Sequence, residues 1–572
     1  MKFLIKKIYI ILSLLSILLI GTKVFGKESG SRYSEENISN YFSGIISTDY
    51  YQDKEAFKYL KKVKQLKDKH TRYNIEYIRT LVLLDKFDEA FSFAKKITNN
   101  NQFFFENDLL LGLDYFIKND YLKAEEHFER LNEISRYNLF FADVIGNVLI
   151  AWSKASQENK TDSFRYIEKI PKPYQYLREI QNIFLKCYFN ELETQKSFEE
   201  LINNEEYNFS RYNFFLANYL LANNKIAEAK KVIENSRKKF NSNILIQQTE
   251  DFFLNKEDEK IANFYNCKNP KDSIAEFFYV ISNLYASEKN YKLSNFYLKI
   301  SLLLNSKFSP NKALLAENYR YQKKNVLAKD TYHSLKSIGS VYSWYASLEV
   351  AKILLETKGK EYSIKNLENE FNSLSNKNFE HYYDLANFYK NNEYYEKSVE
   401  YYSLALKKIE RDHVLVPTIL DRRGTSYERL NDWKSAEKDL MESLKILPDQ
   451  ARVINYLAYT WVDKGINLDK GLEMLKKAVK LKENDGYIID SLGWAYYAKK
   501  NYKEAEPLLK KAVELLPHDP IINDHYADTL WMLNKNIQAR YIWNYVLKLD
   551  DAEKELKDNI SKKLIFGVNK NL

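Results

Sequence analysis

A chain of 572 residues with 45% hydrophobic and 29% charged residues has the composition of a folded protein rather than of a disordered one. Its 14 Gly and 9 Pro are about a third of the roughly 12% that average usage supplies, which excludes a build from many hairpins and predicts helices with short, regular connections. The formal charge of +9 includes four lysines within residues 1–26 and falls to +5 beyond them, too balanced for a surface that tracks a phosphate backbone, so no nucleic-acid partner is expected.

Residues 1–26 read as an export signal. Lys2, Lys6 and Lys7 precede an apolar run from Ile8 to Ile20, and Val24-Phe25-Gly26 offers a cleavage site. The run is short against the ~20 residues of a membrane span. Cleavage after Gly26 is expected, with an uncleaved N-terminal anchor as the alternative. Both place the body of the chain across the membrane, because the lysines stay on the cytoplasmic side. The expected location is therefore the periplasm, reached by the general secretory route, and peripheral association with the membrane is compatible with it. No cysteine stands near the cleavage site to take a lipid.

Beyond a short segment at 27–36, a 34-residue period runs down the chain. Gly44 with Ala56, Ile78 with Ala90, and Gly112 with Ala124 each lie twelve apart. The same spacing holds for Ala217 with Ala229, Ser282 with Ser294, Ala316 with Ala328, Ala351 with Ser363, and Ala386 with Ser398. Small residues at two such points let paired helices cross closely. The clearest unit, Gly486 to Asp519, places Leu492, Gly493, Tyr496, Ala505, Leu509, Ala512 and Pro517 in the tetratricopeptide pattern, and Gly424, Tyr427, Ala436, Leu440 and Pro448 repeat it. About fifteen units are expected from roughly Asn37 to Ala552. The pattern predicts an all-α, right-handed α-solenoid of stacked antiparallel helix pairs, each packing only on its neighbours. The expected divisions are an N-terminal array at 37–270 (partly degenerate near 139–208 and 243–270), a middle array at 271–415, well-formed units at 416–553, and a capping helix and tail at 554–572. Pro171 and Pro173 mark a bend. Leu556, Ile560 and Leu564 lie four apart, as a terminal covering helix needs.

Cys187 and Cys267 are 80 residues apart and two units apart in the repeat register. A bridge needs Cα atoms within about 7 Å, so two free, inert thiols are expected. The histidines form neither H-E-x-x-H nor a Cys/His metal spacing, and no nucleophile elbow or phosphate-binding glycine loop is present. His518 and His525, beside Asp519 and Asp524, read as capping and solvated polar residues. No catalytic, cofactor or metal site is expected, and no small-molecule substrate.

One set of residues stands out for partner binding. Asp421, Asn455, Asp490 and Asp524 occupy equivalent sites in four successive first helices, with Tyr456, Tyr459, Trp494, Tyr497 and Trp531 close by. Such a ladder, facing the groove, either contacts a partner through aromatic anchors or only bonds between repeats; both readings stay open. Acidic residues stand where a basic clamp for a peptide's terminal carboxylate would need Lys or Asn, so a bound peptide is not expected to be held by its chain end.

The repeats resemble the tetratricopeptide superfamily over nearly the whole chain beyond residue 26. The stretch from Ile454 to Leu547 is similar to the C-terminal repeats of proteobacterial cell-envelope tetratricopeptide proteins. That resemblance implies a periplasmic scaffold or adaptor that recruits or regulates an envelope protease or an assembly machine through protein partners in its groove. The rival expectation is a module that binds cell-wall glycan or lipid.

Overall fold

The computed structural model describes residues 34–568 except 69, 99–103, 136–140, 142–143, 205, 207 and 240–242; the export segment lies outside them. Among the described residues are thirty α-helices, three short 3-10 segments and no strand. The helices pair antiparallel and stack as an α-solenoid. Contacts divide the chain into two compact units at Ser363/Ile364.

The small residues sit where the pattern needs them. Ala56, Ala90, Ala124, Ala229, Ser294, Ala328, Ser363, Ser398, Ala436 and Ala505, the second members of the pairs, are all fully buried at 0% exposure. In four units a glycine in the first helix faces a large residue sixteen positions later in the second. A Cβ on Gly44 would stand 2.6 Å from Leu60, on Gly112 2.3 Å from Phe128, on Gly424 3.1 Å from Leu440, and on Gly493 2.6 Å from Leu509. The glycine thus makes the hollow that the large side chain fills.

The turns explain how a chain so poor in glycine reverses direction so often. Fourteen of them carry a left-handed residue just past the helix end, with φ between 57° and 67°, from Tyr51 through Asp85, Asn119 and Asn224 to Lys500 and Asn534. Only one of the fourteen is a glycine, Gly465, and five are asparagines. The following N–H bonds back over the helix end, as Lys86 does to Leu81 (2.9 Å) and Asn501 to Tyr496 (2.9 Å). This closes carbonyls the helix leaves open. A non-glycine residue here costs about 1–2 kcal/mol, borne by the helix packing on either side.

In the first unit, the expectation that each pair packs only on its neighbours fails. The early helices meet much later ones through Lys292 to Glu76 (2.8 Å), Lys299 to Asp85 (2.6 Å) and Lys324 to Asp53 (2.6 Å). Gln248 Oε1 accepts from the Val341 and Tyr342 N–H groups at 3.0 and 3.3 Å, capping a helix 93 residues away. The array curls until distant repeats touch. The same curvature overturns the expectation of free thiols. Cys187, near the end of helix Gln175–Tyr188, forms a disulfide with Cys267, just before helix Pro270–Ser287, with Cα atoms 6.0 Å apart. Degenerate pairs bring together what regular stacking would hold apart. Lys268 supports the join, donating to the carbonyls of Cys187 (2.7 Å) and Tyr188 (2.6 Å). Pro171 leads into a short 3-10 turn, Lys172–Tyr174.

In the second unit, helix Lys554–Phe566 closes the stack. Ile560 is fully buried, and Leu556 and Leu564 pack with it on Ala527, Leu530 and Trp543, so the last pair does not show its apolar side to water.

Candidate functional site

First helices of successive repeats in the second unit line an open groove of about 940 Å³. Asn387 and Lys390 come from helix Phe379–Asn391; Asp421, Arg422 and Arg429 from Val416–Arg429; Arg452, Asn455 and Tyr456 from Ala451–Asp463. Lys482, Asp485 and Tyr487 close one end. Each helix contributes the same face because the repeat advances by whole helix pairs. Asn387 lies 34 residues before Asp421, so the polar ladder begins one unit earlier than the sequence reading placed it.

The ladder divides. Asp421 and Asn455 line the groove with Tyr456. Burial pushes the Asp421 carboxyl above its usual range, against the pull of Lys390, Arg422 and Arg452. Asn455 Oδ1 is buried and accepts no hydrogen bond among the described residues. Tyr456 donates its hydroxyl to Glu428 at 2.8 Å, which sets the ring against the groove wall.

The other ladder residues pair within the chain. Asp490 is 5% exposed and holds His525 Nδ1 at 3.0 Å. Trp494 stacks on the His525 ring at 3.9 Å between centroids and on Tyr497 at 4.4 Å. Tyr497 meets Tyr502 edge-on at 5.3 Å, and Tyr459 lies 6.5 Å from the His525 ring. His525 is therefore no solvated loop residue, as the sequence suggested. Burial works against its charge, but Asp490 first, and then Asp524 and Asp528, outweigh it and hold its pKa above the usual value. Asp524 and Asp528 both bind Lys563 Nζ from the closing helix, at 2.7–2.9 Å. Trp531 packs against Trp543 at 5.5 Å under the Arg540 guanidinium. Asp519 caps its helix as expected, accepting from Ile521 and Ile522 at 3.0 Å.

The groove carries a net positive charge around the acidic ladder position. Five cations line it (Lys390, Arg422, Arg429, Arg452, Lys482) against two carboxylates, Asp421 and Asp485. Burial, together with Arg422, Arg429 and Arg452, holds the Lys390 ammonium below its usual range despite Asp421. The sequence carried a signal for part of this: Arg452 lies 34 residues after Thr418 and Asn387 34 before Asp421, so extending the register over neighbouring positions finds them. Nothing local distinguishes Lys390 from the many solvated lysines.

Stacked helix pairs that present a polar concave face define a helical-repeat binding protein. The tetratricopeptide-repeat family pattern matches residues 488–519 and 380–407. Both matched segments are tetratricopeptide repeats, and proteins built from this repeat are typically non-enzymatic scaffolds for protein–protein interaction. It is similar to the TPR repeat-containing protein PA4667 of Pseudomonas aeruginosa, with 33% identity over 127 residues, 22% of this chain and 21% of that protein. The matched stretch thus spans about a fifth of the relative's length. Among solved structures, yeast Tom70 aligns over 79% of this chain and 93% of its own, with 15% identity and a TM-score of 0.33. MamA from Desulfovibrio magneticus RS-1 aligns over 31% of this chain and 100% of its own, with 17% identity and a TM-score of 0.28.

Proposed function

We propose that this protein is an exported scaffold of the bacterial cell envelope, and that the groove of its second unit holds an extended segment of a protein partner. One observation carries the reading: successive first helices leave an open groove of about 940 Å³ whose lining includes a buried acceptor, Asn455 Oδ1, with no hydrogen-bond partner among the described residues. An unpaired buried acceptor costs about 1–3 kcal/mol, and an extended peptide supplies an N–H at each residue. Export is supported by the three lysines and apolar run at the N-terminus. It is supported independently by the Cys187–Cys267 disulfide, a bond that persists in oxidising compartments and is rare in the cytosol. Recruitment of an envelope protease or assembly machine is the role this arrangement suits.

The test is capture of partners from an envelope extract by the full chain and by Thr418→Trp, which fills the groove. A stoichiometric partner kept by the wild type and lost by the variant is the expected result. Equal capture by both sinks the groove reading. Fractionation tests export: recovery of the chain in the cytosol with both cysteines reduced sinks that part.

A further inference from the structure

The groove's charge points to what it selects. Elsewhere in the second unit some cations are paired, as Lys397 is with Glu368, Arg423 with Asp439, Lys477 with Asp449, Lys535 with Glu506 and Lys563 with Asp524 and Asp528, while others, such as Lys407, Lys434 and Lys503, stand on solvated faces without a salt bridge among the described residues. Lys390, Arg452 and Lys482 form no salt bridge among the described residues, though all three line the groove. Arg422 donates to the neutral Asn387 side chain rather than to a carboxylate. Arg429 has only its own neighbour Glu428, at 3.7 Å. What sets the groove apart is the excess: five cations face two carboxylates within one concave lining, and Lys390 carries the cost of that crowding.

Their placement narrows the ligand class. The cations come from three successive first helices and the loop before a fourth, so they are spread along the groove. A single terminal carboxylate or one phosphate meets only part of such a row. Asn455 Oδ1 and the carboxylates of Asp421 and Asp485 add acceptors between the cations. A phosphodiester backbone brings no donor for them, whereas a peptide brings a backbone N–H at every residue.

Resting on the groove reading above, we propose that the partner segment is an internal acidic one, with several side-chain carboxylates held along its length by Lys390, Arg422, Arg429 and Arg452 while Asn455 takes a backbone N–H. Neither end of the partner chain is gripped. The attraction steers encounter and sets specificity more than it sets raw affinity.

Fluorescence anisotropy on the purified full chain tests this. The probes are labelled peptides of equal length and aromatic content, blocked at both ends: one rich in Glu and Asp, its Gln/Asn counterpart and its Lys counterpart. The acidic peptide is expected to bind, and the neutral one at least about tenfold more weakly. Affinity for the acidic peptide falls with added salt. Arg452→Glu, an exposed position, loses most of the binding, Arg452→Gln loses part, and both keep the helical circular dichroism. Asn455→Leu weakens binding without changing its salt dependence. Equal binding of neutral and acidic peptides overturns the proposal. So does a requirement for a free C-terminus, or tighter binding of an oligonucleotide or of anionic vesicles through Arg452. The two readings fail separately. If Thr418→Trp abolishes partner capture but Arg452→Glu does not, the groove reading survives and the acidic segment falls.

Discussion

Lys563 is the side chain whose loss the second unit should feel most clearly. It is 13% exposed and its ammonium sits 2.7–2.9 Å from all four carboxylate oxygens of Asp524 and Asp528. Lys563→Met keeps the apolar stem and removes the charge. Asp528 already has its pKa pushed up to about 6, by burial first and by the Asp524 charge, with Lys563 opposing. Without Lys563 that value rises further, and near pH 7.5 the carboxyl escapes by taking a proton. From 6 to 7.5 this costs about 2 kcal/mol at 1.36 kcal/mol per unit. The lost pair with Asp524 adds about 1.5–3 kcal/mol, the worth of a hydrogen bond to a charged group. The total of about 3.5–5 kcal/mol matches what breaking a buried ion pair costs. A carboxyl with a raised folded pKa favours folding below its ordinary value, and that advantage is lost as pH rises through about 6. Near pH 5 Asp528 is therefore protonated in both proteins, and the deficit shrinks to about 1.5–3 kcal/mol. Urea unfolding followed by tryptophan fluorescence reads this out, since Trp433, Trp461, Trp494, Trp531 and Trp543, five of the seven tryptophans, lie in the second unit. A deficit below about 1 kcal/mol near pH 7.5, or one unchanged near pH 5, refutes the reasoning.

Three further outcomes are expected. His525 gains its charge partner on folding, so its raised pKa gives stability that is full below about 6.5 and fades as pH rises through the folded value; His525→Gln should flatten the decline that sets in above about pH 6.5, and an unchanged pH profile counts against the Asp490 pairing. Gly493→Ala should destabilise by about 1 kcal/mol, because overpacking on Leu509 (1–3 kcal/mol) exceeds the ~1 kcal/mol of helix propensity gained, while Gly424→Ala, whose Cβ meets Leu440 at 3.1 Å, should stay within about 0.5 kcal/mol; equal effects in urea unfolding would show that the two hollows do not differ. Reduction, or Cys187→Ser with Cys267→Ser, should cost about 2–4 kcal/mol in unfolding followed by circular dichroism, and alkylation of both thiols in the denatured, unreduced chain would show that no disulfide forms.

The repeat was legible because its signal is local and periodic. A small residue pairs with another twelve positions later, a glycine with a large side chain sixteen later, and a turn follows at fixed phase. The sequence therefore determined the helix pairs, their stacking and the closing helix, where Leu556, Ile560 and Leu564 share a face. Only the tertiary structure decided what curvature brings together. Small rotations between degenerate pairs accumulate until Cys187 meets Cys267, and Glu76 meets Lys292 across 216 residues. No local pattern encodes such a sum. The ladder shows the same limit within four repeats: Asp421 and Asp490 hold the same register position, yet one lines a groove and the other is buried on His525. What separates them is the residue 35 positions further on that fills the space beside Asp490, a contact set by packing of the next helix rather than by the register itself.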